Sequence, residues 1–231
     1  RDFVTLQISN ILSNELSARY AQCIKAISTA NREKAVGLRA LKNTLLLLIS
    51  YQGDEVTNEL IHQQGKNAQN MTDSISAITC ANVTNAECLM PLLKAFDQRW
   101  QDNGLVMDKW FATIGVNPRD DVIDNIITTF EHPSFSWQNP NRVRSLIGAF
   151  AMNNQRQFHR IDGQGYVFLT DQLIALNEIN PQIAARLITP LMAWKKIKGE
   201  RSSLMRAQLE RLAALPNLAK DLYEKVEVSL A

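Results

Sequence analysis

The chain has 231 residues, 45% of them hydrophobic, which is enough to bury one large core or a row of stacked helices. Charged residues make up 21% of the sequence and are well mixed, a composition that does not indicate disorder, and the scarcity of Gly (nine) and Pro (seven) excludes a turn-rich β architecture. The formal net charge is only +2, but it is the sum of a basic segment and an acidic remainder.

Helical periodicity dominates the first half of the chain. Within Arg32–Ser50, four leucines recur at a three-four-three spacing and predict one apolar stripe along a helix. Gly53 ends this helix, and Asp54 opens the next one, which stops near Gly65. The stripe consists of Leu38, Leu41, Leu45 and Leu48. Further helices are predicted over Met71–Ala81, from a cap at Asn85 to Asp102, and over Leu105–Ile114.

Three helices of the second half share one start signal, an Asn-Pro pair. Asn accepts a hydrogen bond from an otherwise unpaired amide, and Pro, as the first helical residue, has no amide to leave unpaired. Asp120 and Asp121 follow the first pair, where the helix dipole favours carboxylates. The pairs are Asn117-Pro118, Asn139-Pro140 and Asn180-Pro181, and two more helical patterns, Arg201–Ala214 and Pro216–Leu230, end the chain.

These patterns predict an all-α protein. About a dozen helices joined by short loops favour stacked helical pairs that form a superhelical domain of the HEAT or armadillo kind, although no strict sequence repeat is visible. We expect residues 1–231 to form a single domain of this kind. Because the chain starts at Arg1, inside a helical pattern, we also expect it to be a fragment of a larger multidomain protein.

The cysteines favour a reducing compartment. Cys23, Cys80 and Cys88 are odd in number and have no CxxC spacing, which is typical of free thiols in a cytoplasmic protein. No signal peptide is visible, and the longest apolar run, Leu45–Ile49, is far too short to span a bilayer. We therefore expect no membrane partner.

The common catalytic motifs are missing from the sequence. None of the three histidines, His62, His132 and His159, belongs to an HExxH pattern, and neither a GxSxG elbow nor a P-loop is present. Gly163-Gln164-Gly165 lacks the third glycine of a dinucleotide-binding loop and is typical of a plain turn. We expect neither catalytic residues nor metal ligands in this chain.

The four tryptophans divide into two groups. Trp100, Trp110 and Trp194 fall on apolar stripes and are predicted to be core residues. Trp137 lies in a loop beside Phe135, where it is either an anchor for a partner or a residue buried under the following helix.

Several polar residues stand where local physics does not favour them. Arg142 and Arg144 follow the helix start at Asn139, although the positive end of a helix dipole disfavours cations. They either meet an anion or pair with carboxylates of the same chain. Gln182 and Arg186, four residues apart, share the polar border of a helix, where they either point into a cleft or are simply solvated.

At these residues the sequence resembles the C-terminal domain of the bacterial aminopeptidase N family. The members of that family are zinc metallopeptidases of the gluzincin class. The resemblance covers most of the chain from Leu89 onward, whereas the residues before Leu89 are interpreted from helical pattern alone. The matching stretches are Ser136–Phe150 (SWQNPNRVRSLIGAF), Leu105–Phe111, Phe158-His159, Asp162–Tyr166, Asn180–Gln182, Arg186–Ile188 and Asp221–Lys225, and Ala231 matches the family's natural C-terminus.

The resemblance implies a role without catalysis. In that family the helical domain is the last of four, closes over the catalytic domain and lines the chamber that holds the peptide. Arg144, Gln182 and Arg186 match positions that face the primed side of the substrate, the residues after the cleaved bond. The zinc ligands and the catalytic Glu belong to domains that this chain lacks. The expected partners are therefore the catalytic domain and a peptide, and the isolated fragment is expected to be inactive.

Two other functions fit parts of the sequence. A free-standing helical solenoid that binds a protein partner would need an exposed apolar or aromatic groove. Nucleic-acid binding would use the basic segment between Asn139 and Arg211, where eleven Arg and Lys stand against five Asp and Glu. The basic residues are not interleaved with aromatics, so we expect no nucleic acid as a partner.

Overall fold

The computed structural model describes residues 2–231, and within this range every regular element is a helix. The chain divides into two compact units, Arg1–Val106 and Met107–Ala231. A single domain over residues 1–231 stays a prediction. None of the helices between residues 2 and 231 has the length and apolar character that a membrane crossing needs.

The first unit is built on contacts between long helices. The central α3 packs against α2 and α5, and α5 also packs against α4. Leu46 and Ile61 are completely buried in this core, and Ile78 is nearly so. The helices are α1 (Asp2–Ile11), α2 (Ser13–Thr29), α3 (Arg32–Ser50), α4 (Glu55–Asn67), α5 (Met71–Thr84) and α6 (Leu89–Trp100).

The bounds of α3 agree with the prediction, but its buried face does not. Of the four leucines predicted as a stripe, only Leu45 is buried, and Leu41 is exposed. The buried face instead includes Ala35, Lys42 and Ile49. A lysine can occupy this face because its ammonium group, Nζ, pairs with a carboxylate of α5 at 3.0 Å.

That carboxylate, Asp73, is the centre of a polar network inside the first unit. Its oxygens accept hydrogen bonds from Asn43 Nδ2 at 3.0 Å and from Asn70 Nδ2 at 3.1 Å, in addition to the Lys42 contact. Gln64 donates to Asn43 and accepts from the Tyr20 hydroxyl at 2.8 Å. The network links α2, α3, α4 and α5, and it provides a carboxylate partner for the charge of Lys42.

The second unit contains shorter helices. The long α12 packs against α13 and α15, and α16 packs against the same two helices. From Gly104 onward the elements are α7 (Gly104–Gly115), α8 (Val122–Thr129), α9 (Pro140–Val143), a π-helix (Arg144–Gly148), α10 (Ala149–Asn153), α11 (Gln155–Phe158), α12 (Gln164–Ile179), α13 (Pro181–Leu187), α14 (Thr189–Met192), a 3₁₀-helix (Ala193–Lys196), α15 (Glu200–Ala213) and α16 (Lys220–Leu230).

Two of the three Asn-Pro starts are confirmed. The Asn139 side chain accepts from the amides of Asn141 and Arg142, and the Asn180 side chain accepts from the amide of Ile183. In both cases Pro is the first helical residue, so local chemistry alone fixes where these helices begin.

The other two predicted Asn caps are wrong. Asn117 accepts from the amide of Arg119 at 2.9 Å in a turn, and the next helix begins only at Val122. Asn85 does not start α6; it ends α5 in the left-handed conformation, with φ of 55°. Asn favours both turns and left-handed backbone as well as helix starts, so the same residue type carries three different signals.

The tryptophan prediction is correct only in part. Trp110 is buried, as expected, while Trp100 and Trp194 are half-buried. The indole nitrogen of Trp194 donates to the Ser229 carbonyl at 3.1 Å, and the Arg206 guanidinium lies 5.5 Å from its ring centre. Polar contacts at one edge and a cation over the ring explain why this residue stays partly at the surface.

Candidate functional site

The short helix α13 presents two sides with different chemistry. Ile183 and Leu187 are buried on one side, whereas Gln182 and Arg186 are exposed on the other. The two exposed side chains are four residues apart, so they lie one above the other on the helix surface. The polar border that the sequence indicates is therefore a real face of α13.

This face forms one wall of a groove with a volume of about 570 Å³, which we call the α13–α16 groove. Lys225 of α16 donates from Nζ to the Ala185 carbonyl at 2.5 Å and so ties the two walls together. The groove is lined by Gln182, Ala185, Arg186, Met192, Asp221, Glu224, Lys225 and Val228.

The charges in the groove are balanced. The lining contains Arg186 and Lys225 as well as Asp221 and Glu224, so it supplies both donors and acceptors rather than one sign of charge. Among residues 2–231 the Arg186 guanidinium has neither an ion-pair partner nor a hydrogen-bond partner, and the same holds for the Gln182 amide. Their donors are left to water or to a ligand.

The sequence indicates no role for Asp221, Glu224 and Lys225 of α16. They lie in the stretch Asp221–Lys225, which carries part of the family resemblance. The signal that could have found them is their spacing, because residues 221, 224, 225 and 228 recur on one helical face.

Arg144 is exposed and lies outside the lining of the α13–α16 groove. Its Nη2 donates to the Asn141 side chain at 3.1 Å, and no carboxylate within residues 2–231 pairs with it. A Cβ on Gly148 would lie 3.2 Å from Leu187 Cδ2 and 3.3 Å from Arg144 Cγ, so the stem of Arg144 runs close to α13. The structure thus joins Gln182 and Arg186 in one groove and places Arg144 on the neighbouring element.

Arg144 also begins the π-helix Arg144–Gly148, a rare local conformation that is frequent at functional sites. Nothing in the sequence indicates the π-turn, because its wider hydrogen-bond spacing depends on what packs against it.

Arg142 has a different environment from Arg144. It is only 7% exposed, pairs through Nη1 with Asp108 and donates from Nε to the Ser134 carbonyl at 2.9 Å. Its guanidinium carbon lies 5.5 Å from the centre of the Phe111 ring. Of the two readings left open by the sequence, pairing with a carboxylate of the same chain is the one that applies to this arginine.

Trp137 belongs to an aromatic cluster next to this ion pair. Its ring centre lies 4.6 Å from that of Phe130 and 5.2 Å from that of Phe135, and the side chain is half-buried. Contacts with its own chain therefore account for a large part of its surface.

The two histidines of the second unit make separate contacts. His132 Nδ1 accepts from the Ser134 amide at 3.1 Å, and His159 Nδ1 lies 2.8 Å from the Tyr166 hydroxyl. Burial, reinforced by the charge of Arg201, lowers the pKa of His159 below its ordinary value. Nowhere between residues 2 and 231 do three His, Cys, Asp or Glu side chains come together as metal ligands do. A zinc ion does not fit the residues of this part of the chain.

The basic segment is partly neutralised by its own chain. Besides Arg142, three of its arginines form ion pairs, at distances between 2.7 and 2.9 Å. These pairs are Arg160–Asp162, Arg206–Glu210 and Arg211–Asp171. The local excess of basic residues therefore does not correspond to a continuous row of unpaired cations.

Comparison with known proteins identifies the family of this chain. The family described as "Domain of unknown function (DUF3458_C) ARM repeats" matches residues 1–231, which confirms the all-α fold of armadillo kind. The match also includes the residues before Leu89, where the sequence offered only helical pattern.

The relatives carry a common name. The chain is 42% identical to aminopeptidase N of Haemophilus influenzae over 230 residues and 39% identical to that of Escherichia coli over 231 residues, in both cases over 100% of this chain. A crystal structure of Legionella pneumophila aminopeptidase A in complex with aspartic acid superposes with a TM-score of 0.84 at 26% identity, covering 97% of this chain and 28% of that one.

The chain spans only 26% of the length of the first two relatives. The resemblance to the aminopeptidase N family is confirmed, and it concerns one segment of those longer proteins. The chain belongs to the DUF3458_C family of ARM-repeat domains and corresponds to the C-terminal domain of bacterial aminopeptidase N.

Proposed function

We propose that this chain is the non-catalytic helical domain of a zinc-dependent aminopeptidase that removes N-terminal residues from peptides, and that it caps the catalytic domain. The relatives that match the whole chain are named aminopeptidase N, and the chain accounts for about a quarter of their length. No group of three potential metal ligands exists within residues 2–231, so the zinc ligands are assigned to the rest of the enzyme. By itself the chain is expected to hydrolyse nothing.

We further propose that Arg144, Gln182 and Arg186 bind the primed side of the peptide. The observation that carries this assignment is the unpaired guanidinium of Arg186 in the α13–α16 groove, beside an equally unpaired amide. Arg206, by contrast, pairs with Glu210 four residues further along its helix at 2.9 Å. An arginine that has no carboxylate partner keeps its five donors for a ligand.

The mixed charge of the groove suits a peptide better than a simple anion. A peptide backbone needs donors for its carbonyls and acceptors for its amides, and Arg186 and Gln182 supply the former while Asp221 and Glu224 supply the latter. Arg144 is proposed to hold a carbonyl or the terminal carboxylate further along the peptide. Its position at the start of a π-turn supports this role.

A cytoplasmic location is part of the same proposal. Cys23, Cys80 and Cys88 are all free, and burial raises the pKa of the Cys80 thiol to about 12, which keeps it unreactive. Free thiols of this kind are typical of a reducing compartment.

The test compares two substrates in the complete enzyme. A tetrapeptide extends along the primed side, whereas a one-residue amide such as alanine p-nitroanilide places only its small leaving group there. We expect Arg186→Ala and Arg144→Ala to lower kcat/KM for the tetrapeptide about tenfold, the usual effect of losing a hydrogen bond from a charged donor, and to spare the amide.

Arg206→Ala is the matched control, since it removes an exposed arginine that already has a carboxylate partner. Unchanged kinetics for both substrates in the Arg186 and Arg144 variants would refute the substrate-binding role. Equal losses on both substrates would also count against it, because they would indicate a general disturbance of the enzyme.

A further inference from the structure

The lysine of the α13–α16 groove does not pair with the carboxylate nearest to it along its helix. Asp221 and Lys225 stand four residues apart on α16, with the acid before the base, which is the order that favours an ion pair. The Lys225 ammonium group instead donates to the Ala185 carbonyl of α13 at 2.5 Å. The contact that joins the two walls of the groove therefore takes up the cation that could have neutralised Asp221.

The two carboxylates on the α16 wall are left almost without partners. Within residues 2–231 the side chain of Asp221 takes part in neither an ion pair nor a hydrogen bond. Glu224 has only Lys220 as a partner, at 3.9 Å, and both side chains of that pair are mostly exposed. A long, exposed pair of this kind contributes little, so the negative charge of the α16 wall remains largely unmatched.

The two walls of the groove thus carry opposite unpaired charges. The α13 wall presents the Arg186 guanidinium, whereas the α16 wall presents Asp221 and Glu224. In the part of the chain that the structure describes, no ion pair joins Arg186 to either carboxylate. A ligand that matches this distribution directs an acceptor oxygen toward α13 and a positive charge toward α16.

In a peptide bound by its primed side, this positive charge comes from a side chain. The N-terminal amine belongs to the residue that is removed, on the other side of the cleaved bond, so it is not available to the groove. We propose that Asp221 and Glu224 make the groove selective for peptides with Lys or Arg on the primed side and disfavour Asp or Glu there. This selectivity rests on the proposed function, because it requires that the groove holds the peptide.

The size of the effect follows from the exposure of the carboxylates. An exposed pair of charges changes an equilibrium constant by up to about fivefold. Attraction of a lysine and repulsion of a glutamate add in the comparison of two peptides, so we expect a discrimination of about tenfold. The discrimination should also shrink as the salt concentration rises, because salt screens exposed charges.

Peptide kinetics of the full-length enzyme test the selectivity. The substrates are alanine tetrapeptides that carry Lys or Glu as the second, third or fourth residue, and the measured quantity is the ratio of kcat/KM for the Lys peptide to kcat/KM for the Glu peptide. In the double variant Asp221→Asn/Glu224→Gln we expect this ratio to fall about tenfold from its wild-type value at one or more of these positions. The amides keep the shape and an acceptor oxygen, so the variant removes only the charge.

Glu227→Gln is the matched control. It removes an exposed carboxylate from the same helix, but Glu227 accepts a hydrogen bond from Tyr223 and does not line the groove. We expect the ratio of this variant to equal that of the wild type. An equal fall in the control and in the double variant would overturn the assignment, because the overall charge of the domain would then be the cause.

A wild-type ratio in the double variant at all three positions would also overturn the selectivity. If Arg186→Ala nevertheless impairs the tetrapeptide, the substrate-binding role of Arg186 stands and the selectivity alone is refuted. Conversely, a tenfold fall of the ratio together with unchanged kinetics of Arg186→Ala would refute the role of Arg186 and leave the selectivity of the carboxylates standing.

Discussion

At the scale of residues, Arg142 and Arg144 show how far the sequence can lead. Both stand near the start of α9, where the helix dipole disfavours a cation, and the sequence singles them out for this reason. The sequence alone cannot show that their environments differ, because the partner of Arg142 is Asp108, 34 residues away on another helix. Contacts over such distances along the chain leave no local pattern.

Loss of the Arg142 side chain is expected to destabilise the protein strongly. In Arg142→Ala the Asp108 carboxylate and the Ser134 carbonyl lose a charged donor in a largely buried setting. We expect the free energy of unfolding of the 231-residue chain to fall by about 3 kcal/mol in urea titrations.

Arg211→Ala is the matched control, since its pair with Asp171 is half-exposed, and we expect a loss below about 1 kcal/mol. The double variant Arg142→Met/Asp108→Leu should recover much of the stability, because neither charge is then left alone. A single variant as stable as the control would show that the pair is not a structural element.

Asp73 is expected to make the first unit sensitive to acid. Burial opposes ionisation of this carboxyl, but the contacts from Lys42, Asn43 and Asn70 together outweigh burial and hold its pKa below the ordinary value. A lowered pKa in the folded state stabilises the protein at pH values above the unfolded pKa of about 4, and this contribution disappears as the pH falls through the folded pKa.

Asp73→Asn should therefore be less stable than the wild type at pH 7, and the difference should shrink as the pH falls below about 4. Urea titrations at pH 7, 5 and 3 measure it. Glu210→Gln, at an exposed pair, should show no such trend. A difference for Asp73→Asn that stays constant down to pH 3 would contradict the role of its ionised form.

At the scale of elements, the sequence predicts helices better than it predicts their faces. Capping chemistry locates the starts at Asn139 and Asn180, and periodicity locates α3. The buried face of α3 escapes prediction because Lys42 is buried only by virtue of Asp73. Likewise, the exposed border of α13 is predictable, whereas the opposite wall from α16 is not, since Lys225 and Ala185 are 40 residues apart.

Close packing of α7 against the π-helix gives a prediction at this scale. A Cβ on Gly115 would lie 2.5 Å from the Leu146 carbonyl oxygen and 3.1 Å from the Phe150 nitrogen, and backbone atoms cannot move aside cheaply. We expect Gly115→Ala to reduce stability by about 1–3 kcal/mol in thermal or urea unfolding.

Gly37→Ala is the control for this change. A Cβ at Gly37 meets nothing within 4 Å, and Ala has the higher helix propensity, so this variant should gain up to about 1 kcal/mol. If Gly115→Ala were equally stabilising, the two elements would not approach as closely as the structure shows.

At the scale of the whole molecule, the function of this helical chain depends on the longer protein to which it belongs. Its described residues bring no metal ligands together, and the unpaired donors of the α13–α16 groove are unused within residues 2–231. These free donors are understandable if a peptide occupies the groove.

The decisive quantity is the ratio of kcat/KM for a tetrapeptide to kcat/KM for alanine p-nitroanilide in full-length Arg186→Ala, relative to the same ratio in the wild type. If the groove holds the primed side of the peptide, this ratio falls about tenfold, because only the longer substrate loses a charged hydrogen bond. A ratio equal to that of the wild type would mean that Arg186 never touches the substrate, and the domain would then be a passive cap.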